Sequence, residues 1–162
     1  MKCRVCFSEK LSKILDLGEQ PWCNDFLKKK QLGYEKFYPL LLLYCNTCNT
    51  VQLNYTVKKE IMFSNHTYLS GITKTLSDHF LNVSKEINKK FNKKKKNKSI
   101  LDLGSNDGTF LNHFKKLGWK ILGVESSKNI AKMANKKKIK TLNIFFNLKN
   151  AKKIKTKFDF IN

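Results

Sequence analysis

Hydrophobic positions along the chain fall into two regimes. Between Phe37 and Val57 they run as strands. Phe37-Tyr38-Pro39 leads into the apolar stretch Leu40 to Tyr44, and after Cys45-Asn46-Thr47-Cys48 the residues Val51, Leu53, Tyr55 and Val57 alternate with polar ones at period two. Strand, knuckle, strand predicts a hairpin. The segment Ser64 to Gly71 is polar and turn-rich. From about Thr73 the period lengthens, and Leu76, Phe80, Leu81, Val83, Ile87 and Phe91 form the stripe of a helix. Beyond Lys98 the pattern alternates. A strand at Ile100–Leu103 is followed by a glycine-bearing turn and a helix carrying Phe110, Leu111 and Phe114. A strand at Lys120–Val124, a helix from Asn129 to about Lys136 and a strand near Ile139–Leu142 come next. A poorly patterned helical stretch starts near Leu148, and Phe158 to Asn162 reads as a fourth strand. Strands alternating with helices predict an α/β sheet in this half.

Composition narrows the classes. The chain has 162 residues, 41% hydrophobic and 28% charged, a globular balance with room for one ordinary domain or two small ones. Its longest apolar run falls far short of a bilayer span, and the N-terminus Met1-Lys2-Cys3-Arg4 does not resemble a secretory signal. A cytoplasmic protein with no membrane partner is the expectation. The formal net charge is +21, yet Arg4 is the one arginine among 33 basic residues. Surfaces dedicated to nucleic acid favour arginine, whose planar fork holds phosphate and guanine in two-pronged fashion. Lysine, asparagine and isoleucine share A/T-rich codons, so nucleotide bias accounts for the charge and nucleic acid is disfavoured as a partner. The dense run Lys89 to Lys98 reads as a solvated helix end and loop.

Cysteines add the first chemistry. Cys3/Cys6 and Cys45/Cys48 are two C-x-x-C pairs, each able to turn both thiolates toward one tetrahedral ion, which suits Zn²⁺. Residues 7–44 lie between the pairs, more than a compact finger needs, so they must form a substructure of their own. A disulfide is disfavoured in a reducing compartment, and a redox C-x-x-C belongs where a strand meets a helix. Four cysteinates leave no open coordination position, so the zinc is structural. Cys23, His66 and His79 are expected in structural roles, Cys23 as a small buried hydrophobe.

The stretch Leu101-Asp102-Leu103-Gly104-Ser105-Asn106-Asp107-Gly108-Thr109 is the most informative. Gly104 and Gly108 permit unusual φ and close approach, and N–H groups at the following helix start can hold a polar ligand. The pattern matches neither the dinucleotide fingerprint G-x-G-x-x-G nor the P-loop. Asp102, at the end of its strand, is placed to meet a cationic ligand group. Glu125 ends the next strand, where an acid accepts hydrogen bonds from ribose hydroxyls.

These residues resemble the class I methyltransferase fold that binds S-adenosylmethionine. With the cysteine pairs ahead of them, and with Leu17-Gly18-Glu19-Gln20-Pro21, Asn24, Phe26, Tyr68-Leu69-Ser70-Gly71 and Gly123-Val124-Glu125-Ser126-Ser127, the chain is similar to sugar C-methyltransferases carrying an N-terminal zinc-binding domain. That resemblance implies a fold of two parts: a small zinc-binding β module, then the first four strands of a Rossmann-like sheet. The expected divisions are 1–58 for the zinc module, 59–97 for a linker with a bridging helix, and 98–162 for an incomplete cofactor domain. The resemblance further implies that Asp102, Gly104, Ser105, Asn106, Asp107 and Gly108 line the cofactor, that Glu125 takes its ribose, and that Tyr68 lies near the acceptor. The acceptor is then a nucleotide-linked 4-keto-6-deoxy sugar or another small molecule, methylated at carbon after a base removes a proton beside the ketone. The family's histidine base falls beyond Asn162. The chain is thus expected to be the N-terminal part of a longer enzyme, inactive alone and binding the cofactor weakly or not at all. A basic zinc-ribbon protein binding nucleic acid, and a non-catalytic zinc scaffold for a partner protein, are the competing readings.

Overall fold

The computed structural model describes residues 1–23, 26–65, 67–91 and 96–162. Asn24, His66 and part of the lysine run, Lys93 to Lys95, lie outside them. The chain divides into two compact units, Met1–Met62 and Phe63–Asn162.

The first unit is a three-stranded antiparallel sheet in the order β1-β2-β3, with β1 at Leu11–Pro21, β2 at Phe37–Cys45 and β3 at Val51–Leu53. The expected hairpin is β2 and β3, paired as Leu42 with Leu53, Leu43 with Gln52 and Tyr44 with Val51. The second strand stops at Leu53, short of the alternation that runs on to Val57. The segment between the cysteine pairs supplies β1, which lies along β2 with register shifts between Lys13 and Leu15 and between Asp16 and Glu19. The first shift coincides with the adjacent apolar pair Ile14-Leu15, which breaks strict alternation. At the second, Gly18 takes a φ of +67° and its N–H donates to Asp16 Oδ1 over 3.0 Å.

Hardly any of this unit is buried. Among the described residues Met1–Met62, those most removed from solvent are Cys3, Cys45 and Gln52. Cys23 is exposed, which corrects its expected place as a buried hydrophobe. A short helix, α1 at Lys59–Phe63, carries the chain from the first unit to the first residue of the second.

In the second unit, helix α2 at Lys74–Lys90 precedes a parallel sheet of β4 (Ser99–Leu103), β5 (Lys120–Val124), β6 (Thr141–Leu142) and β7 (Phe160–Ile161), in the order β6-β5-β4-β7. Helices α3 at Thr109–Lys116, α4 at Lys128–Lys136 and α5 at Leu148–Ala151 connect the strands. The strand order reverses at β4, which pairs with β5 on one side and β7 on the other. In open α/β sheets, ligands bind at the carboxyl ends of the strands beside such a switch point.

Ile100, Phe110, Leu111, Phe114, Trp119, Ala134 and Ile139 form the core of this unit, with Phe80, Val83, Ile87, Phe91 and Phe160 packed on it. The stripe predicted for α2 is therefore its face against α3. Aromatic rings dominate: Phe114 lies 5.1 Å from Phe110 and 5.0 Å from Trp119, and Phe91 meets Trp119 edge-on at 5.2 Å. The indole N–H of Trp119 donates to Asn88 Oδ1 over 2.9 Å, so its polar atom is not lost to burial. Among the described residues no helix is long and apolar enough to cross a membrane.

Candidate functional site

The four cysteines come together as the spacing predicts. The Sγ atoms of Cys3, Cys6, Cys45 and Cys48 all lie within 4.8 Å of one another. Cys3 and Cys48 are 3.6 Å apart, as are Cys6 and Cys45, so each close pair crosses between the knuckles. A tetrahedron with Zn–S bonds of about 2.3 Å has edges of about 3.8 Å, which these separations match.

The two knuckles are built alike. Phe7 N–H donates to Cys3 O over 3.0 Å, and Asn49 N–H donates to Cys45 O over 2.9 Å. Both Phe7 and Asn49 hold a φ of +60°, the left-handed turn that brings the second thiol round to the first. Sequence reading did not foresee that strain at Phe7, a non-glycine residue with no polar side chain to suit it. It also missed Arg4, whose N–H donates to Gln52 Oε1 and whose guanidinium donates to Leu53 O, each over 2.9 Å. The one arginine ties the first knuckle to β3.

Without a cation the thiols compete for protons. The hydroxyl and backbone of Thr50 pull Cys48 down to about 6. Although a Ser8 backbone hydrogen bond acts to lower it, Cys6 is pushed up to about 12 by desolvation and its three sulfur neighbours. Four thiolates this close require a dication, and the donor set fits Zn²⁺.

The second site lies at the carboxyl ends of β4 and β5. The chain leaves β4 through Gly104, φ +78°, and Gly104 and Ser105 both donate their N–H to Val124 O, over 2.8 and 3.0 Å. Gly108 precedes α3 with φ +78°, and a Cβ there would stand 2.8 Å from Ile139. The glycine is required both for backbone hand and for packing. Asp107, almost fully buried, accepts from the Thr109 hydroxyl over 2.7 Å and from Lys137 Nζ over 2.8 Å. Burial acts to raise this carboxyl, but Lys137 and Thr109 hold it below the ordinary carboxylate range.

Asp102 is displaced the other way. It is 4% exposed, and burial, together with the nearby charge of Glu125, lifts its carboxyl above the ordinary value against the lowering effect of Asn162. Asn162 Nδ2 donates to Asp102 Oδ1 over 2.8 Å. Glu125 ends β5 with both oxygens engaged: Oε2 accepts Asn106 N–H over 3.0 Å and Oε1 accepts Ser127 N–H over 2.7 Å. Ser126 Oγ also approaches Oε1, at 3.5 Å, and a carboxylate's several lone-pair sites still let it accept from a ligand beside these donors.

Two pockets meet at Gly104 and Asn106. One, of about 230 Å³, is lined by Asp102, Ser105, His79 and Phe110 among others, and the second, of about 220 Å³, by Glu125, Ser126, Tyr68 and Ile130. Asp102 and Glu125 thus face separate pockets on either side of the loop. A Cβ at Gly104 would meet nothing within 4 Å, so the space above this residue is open to a ligand. Ser105 Oγ is buried with no hydrogen-bond partner among the described residues, and it occupies the space beside Gly123 of β5 that a Cβ there would need. Asp102, Gly104, Ser105, Asn106, Glu125 and Tyr68 all border the cleft. Asp107 and Gly108 instead brace the loop from behind, toward Lys137 and Ile139. His79, expected to be structural, is exposed and lines the Asp102 pocket. Nothing in its sequence context distinguished it from a solvated helix residue.

Comparison with known proteins agrees with both halves. Residues 76–162 match a family model described as "Methyltransferase domain", and residues 3–63 one described as "Putative zinc binding domain". The chain belongs to the methyltransferase-domain family. That domain implies S-adenosylmethionine as cofactor, and the four-cysteine cluster in the zinc-binding match implies structural zinc.

The C-methyltransferase NovU of Streptomyces niveus is 22% identical over 157 residues, 96% of this chain and 37% of NovU. The chain therefore spans little more than a third of that relative. Among solved structures, the plantazolicin methyltransferase BpumL in complex with SAH is 30% identical, over 54% of this chain and 35% of its own, with a TM-score of 0.42. The plantazolicin methyltransferase BamL, in complex with SAH and a triazolic desmethylPZN analog, is 24% identical over the same shares, with a TM-score of 0.41.

Proposed function

We propose that this chain is the zinc-binding and cofactor-binding part of an S-adenosylmethionine-dependent C-methyltransferase, whose acceptor is a nucleotide-linked keto-deoxy sugar or a similar small ketone. The observation that carries the reading is the pairing of Glu125, at the end of β5, with the open backbone at Gly104 across one cleft. S-adenosylmethionine, bound there, supplies an electrophilic methyl group.

The chain's own residues bind and orient. Glu125, held by the N–H groups of Asn106 and Ser127, accepts from ribose hydroxyls. Asp102 faces the cofactor's ammonium group, whose arrival would offset the cost of its burial. Tyr68 presents its hydroxyl toward the acceptor oxygen, where charge develops once the proton beside the ketone leaves. By the family resemblance, the base that takes this proton is a histidine beyond Asn162. The zinc module is scaffold, with all four positions of the metal filled by Cys3, Cys6, Cys45 and Cys48.

A nucleic-acid-binding zinc ribbon accounts for the charge and the cysteines, but leaves Asp102, Glu125 and the Gly104 cradle without a task. The non-catalytic scaffold leaves them equally idle.

Titration with S-adenosylhomocysteine, followed on the backbone amide resonances, tests the proposal. Shifts are expected at Gly104, Ser105, Asn106 and Ser126, at millimolar ligand if the affinity is weak. Glu125→Ala should weaken binding about tenfold or more, as loss of a charge-assisted hydrogen bond allows. Equal affinity in Glu125→Ala, or absence of any shift at these amides in a protein containing this chain and the segment that follows it, overturns the cofactor assignment. Transfer of labelled methyl to a nucleotide-linked 4-keto-6-deoxy sugar, by a protein containing this chain and the segment that follows it, tests the acceptor.

A further inference from the structure

Asn106 makes more connections than a cofactor loop residue needs. Its backbone holds a φ of +48°, and its N–H is bound to Glu125. Its side-chain amide faces the other way, toward the polar segment ahead of α2. There Ser70 N–H donates to Asn106 Oδ1 over 2.9 Å, and Asn106 Nδ2 donates to Tyr68 O over 3.1 Å. The same Oδ1 also accepts Asp107 N–H over 2.8 Å. One side chain thus satisfies backbone groups on both sides of Leu69, and a donor in its own loop.

The neighbouring Gly71 shows how closely the segment lies on the loop. A Cβ at Gly71 would stand 2.5 Å from both Asp107 Oδ2 and Thr109 Oγ1. Asp107 Oδ2 is the atom that pairs with Lys137, and Thr109 Oγ1 donates to the other oxygen of the same carboxylate. Any larger residue at 71 must lift the segment off the loop or displace the Asp107 carboxylate. Ser70 lines the pocket that holds Asp102, Tyr68 lines the pocket that holds Glu125, and Asn106 borders both.

We propose that Asn106 is a positioning residue, a latch that fastens Tyr68–Gly71 across the cleft. Through this latch the placement of Tyr68 depends on the same residue that orients Glu125. The latch stands on the hydrogen bonds alone; its use, coupling the acceptor side to the cofactor side, rests on the methyltransferase reading. A left-handed φ tells which substitutions isolate the side chain. Glycine accepts this backbone and removes the amide, and aspartate accepts it while keeping the acceptor oxygen.

Amide hydrogen exchange of the whole chain, without ligand, tests the latch. In Asn106→Gly the Ser70 amide should exchange at least about tenfold faster, as loss of one hydrogen bond allows. The amides of Ile100 to Leu103 in β4 should keep their rates, showing that the sheet is intact. Asn106→Asp should restore most of the Ser70 protection. Unchanged Ser70 exchange in Asn106→Gly overturns the proposal. If Asn106→Gly also loosens β4, Asn106→Asp decides, and loss of Ser70 protection there in a folded sheet overturns the proposal.

The methyltransferase reading is separated by adding S-adenosylhomocysteine to the same samples. Ser70 rates that follow the prediction, with ligand shifts at Gly104 and Ser126 absent both here and in a protein that also contains the following segment, leave the latch standing and remove the cofactor assignment at this cleft. Ligand shifts with unaltered Ser70 rates do the reverse.

Discussion

Asp102 and Asp107 flank the turn at Gly104, yet their carboxyls are moved in opposite directions by their surroundings. Burial with a like charge nearby raises Asp102, whereas Asp107, despite burial, is held low by Lys137 and Thr109. The signs of their contributions to stability follow. A carboxyl raised in the folded state binds its proton more tightly there, so Asp102 costs nothing below its unfolded value of 3.8 and costs stability as pH rises through its folded value. Asp102→Asn should therefore raise the melting temperature at pH 7 by a few degrees, while weakening S-adenosylhomocysteine binding about tenfold. A melting curve and a titration on one variant read both, and a loss of stability at pH 7 would contradict the assignment. Asp107 behaves the other way. Its contribution is present above 3.8 and is lost as pH falls through its depressed folded value. Removing the partner by Lys137→Met leaves a buried carboxylate half-satisfied. Because Lys137 itself is half-exposed, the cost should be about 1–2 kcal/mol at neutral pH. Urea unfolding of the two proteins should converge once acid has protonated Asp107 in both. A gap that persists once the carboxyl is protonated in both would point to lost packing instead.

At the scale of elements, period and spacing carried the second unit well. β5 stands at Lys120–Val124 as the alternation places it, α2 starts at the residue after Thr73, and α4 begins one residue ahead of Asn129. These segments combine a clean period with a buried face, the condition under which pattern and structure must agree. β1 was not legible in the same way. Ile14, Leu15 and Leu17 are exposed and the strand is interrupted twice, so no single face is buried to impose alternation. The zinc ligands were legible because a tetrahedral ion imposes fixed spacing on its knuckles. The hydrogen bonds that brace them, from Arg4 to Gln52 and Leu53, join residues far apart in sequence and left no local mark. Asp102, Gly104 and Glu125 could be read because strand ends dictate where such residues point. The partners of Asn106 could not, since Tyr68 and Ser70 lie 38 and 36 residues away along the chain.

At the scale of the whole molecule, the two units rest on different sources of stability. The described buried hydrophobic residues beyond the first knuckles all lie between Ile100 and Ile139 in the second unit, around the aromatic cluster of Phe110, Phe114 and Trp119. In the first unit the buried hydrophobic residues are Cys3 and Cys45, themselves candidate ligands. A unit that small, with so little apolar burial, needs a staple, and the staple here is the metal. Chelation should therefore unfold Met1–Met62 and leave Phe63–Asn162 folded. The two tryptophans report the outcome separately, since Trp22 lies in the first unit and Trp119 in the second. Treatment with a strong zinc chelator should shift Trp22 emission to the red and abolish amide protection in β1, β2 and β3. In Trp22→Phe, the remaining Trp119 emission should not move. Cys45→Ser should reproduce the chelated state without chelator. Persistence of β2 and β3 protection in metal-free protein would mean that the sheet stands by itself and that zinc is an addition to it. Loss of the Trp119 signal as well would mean that the second core depends on the first unit, against the separation of their buried residues.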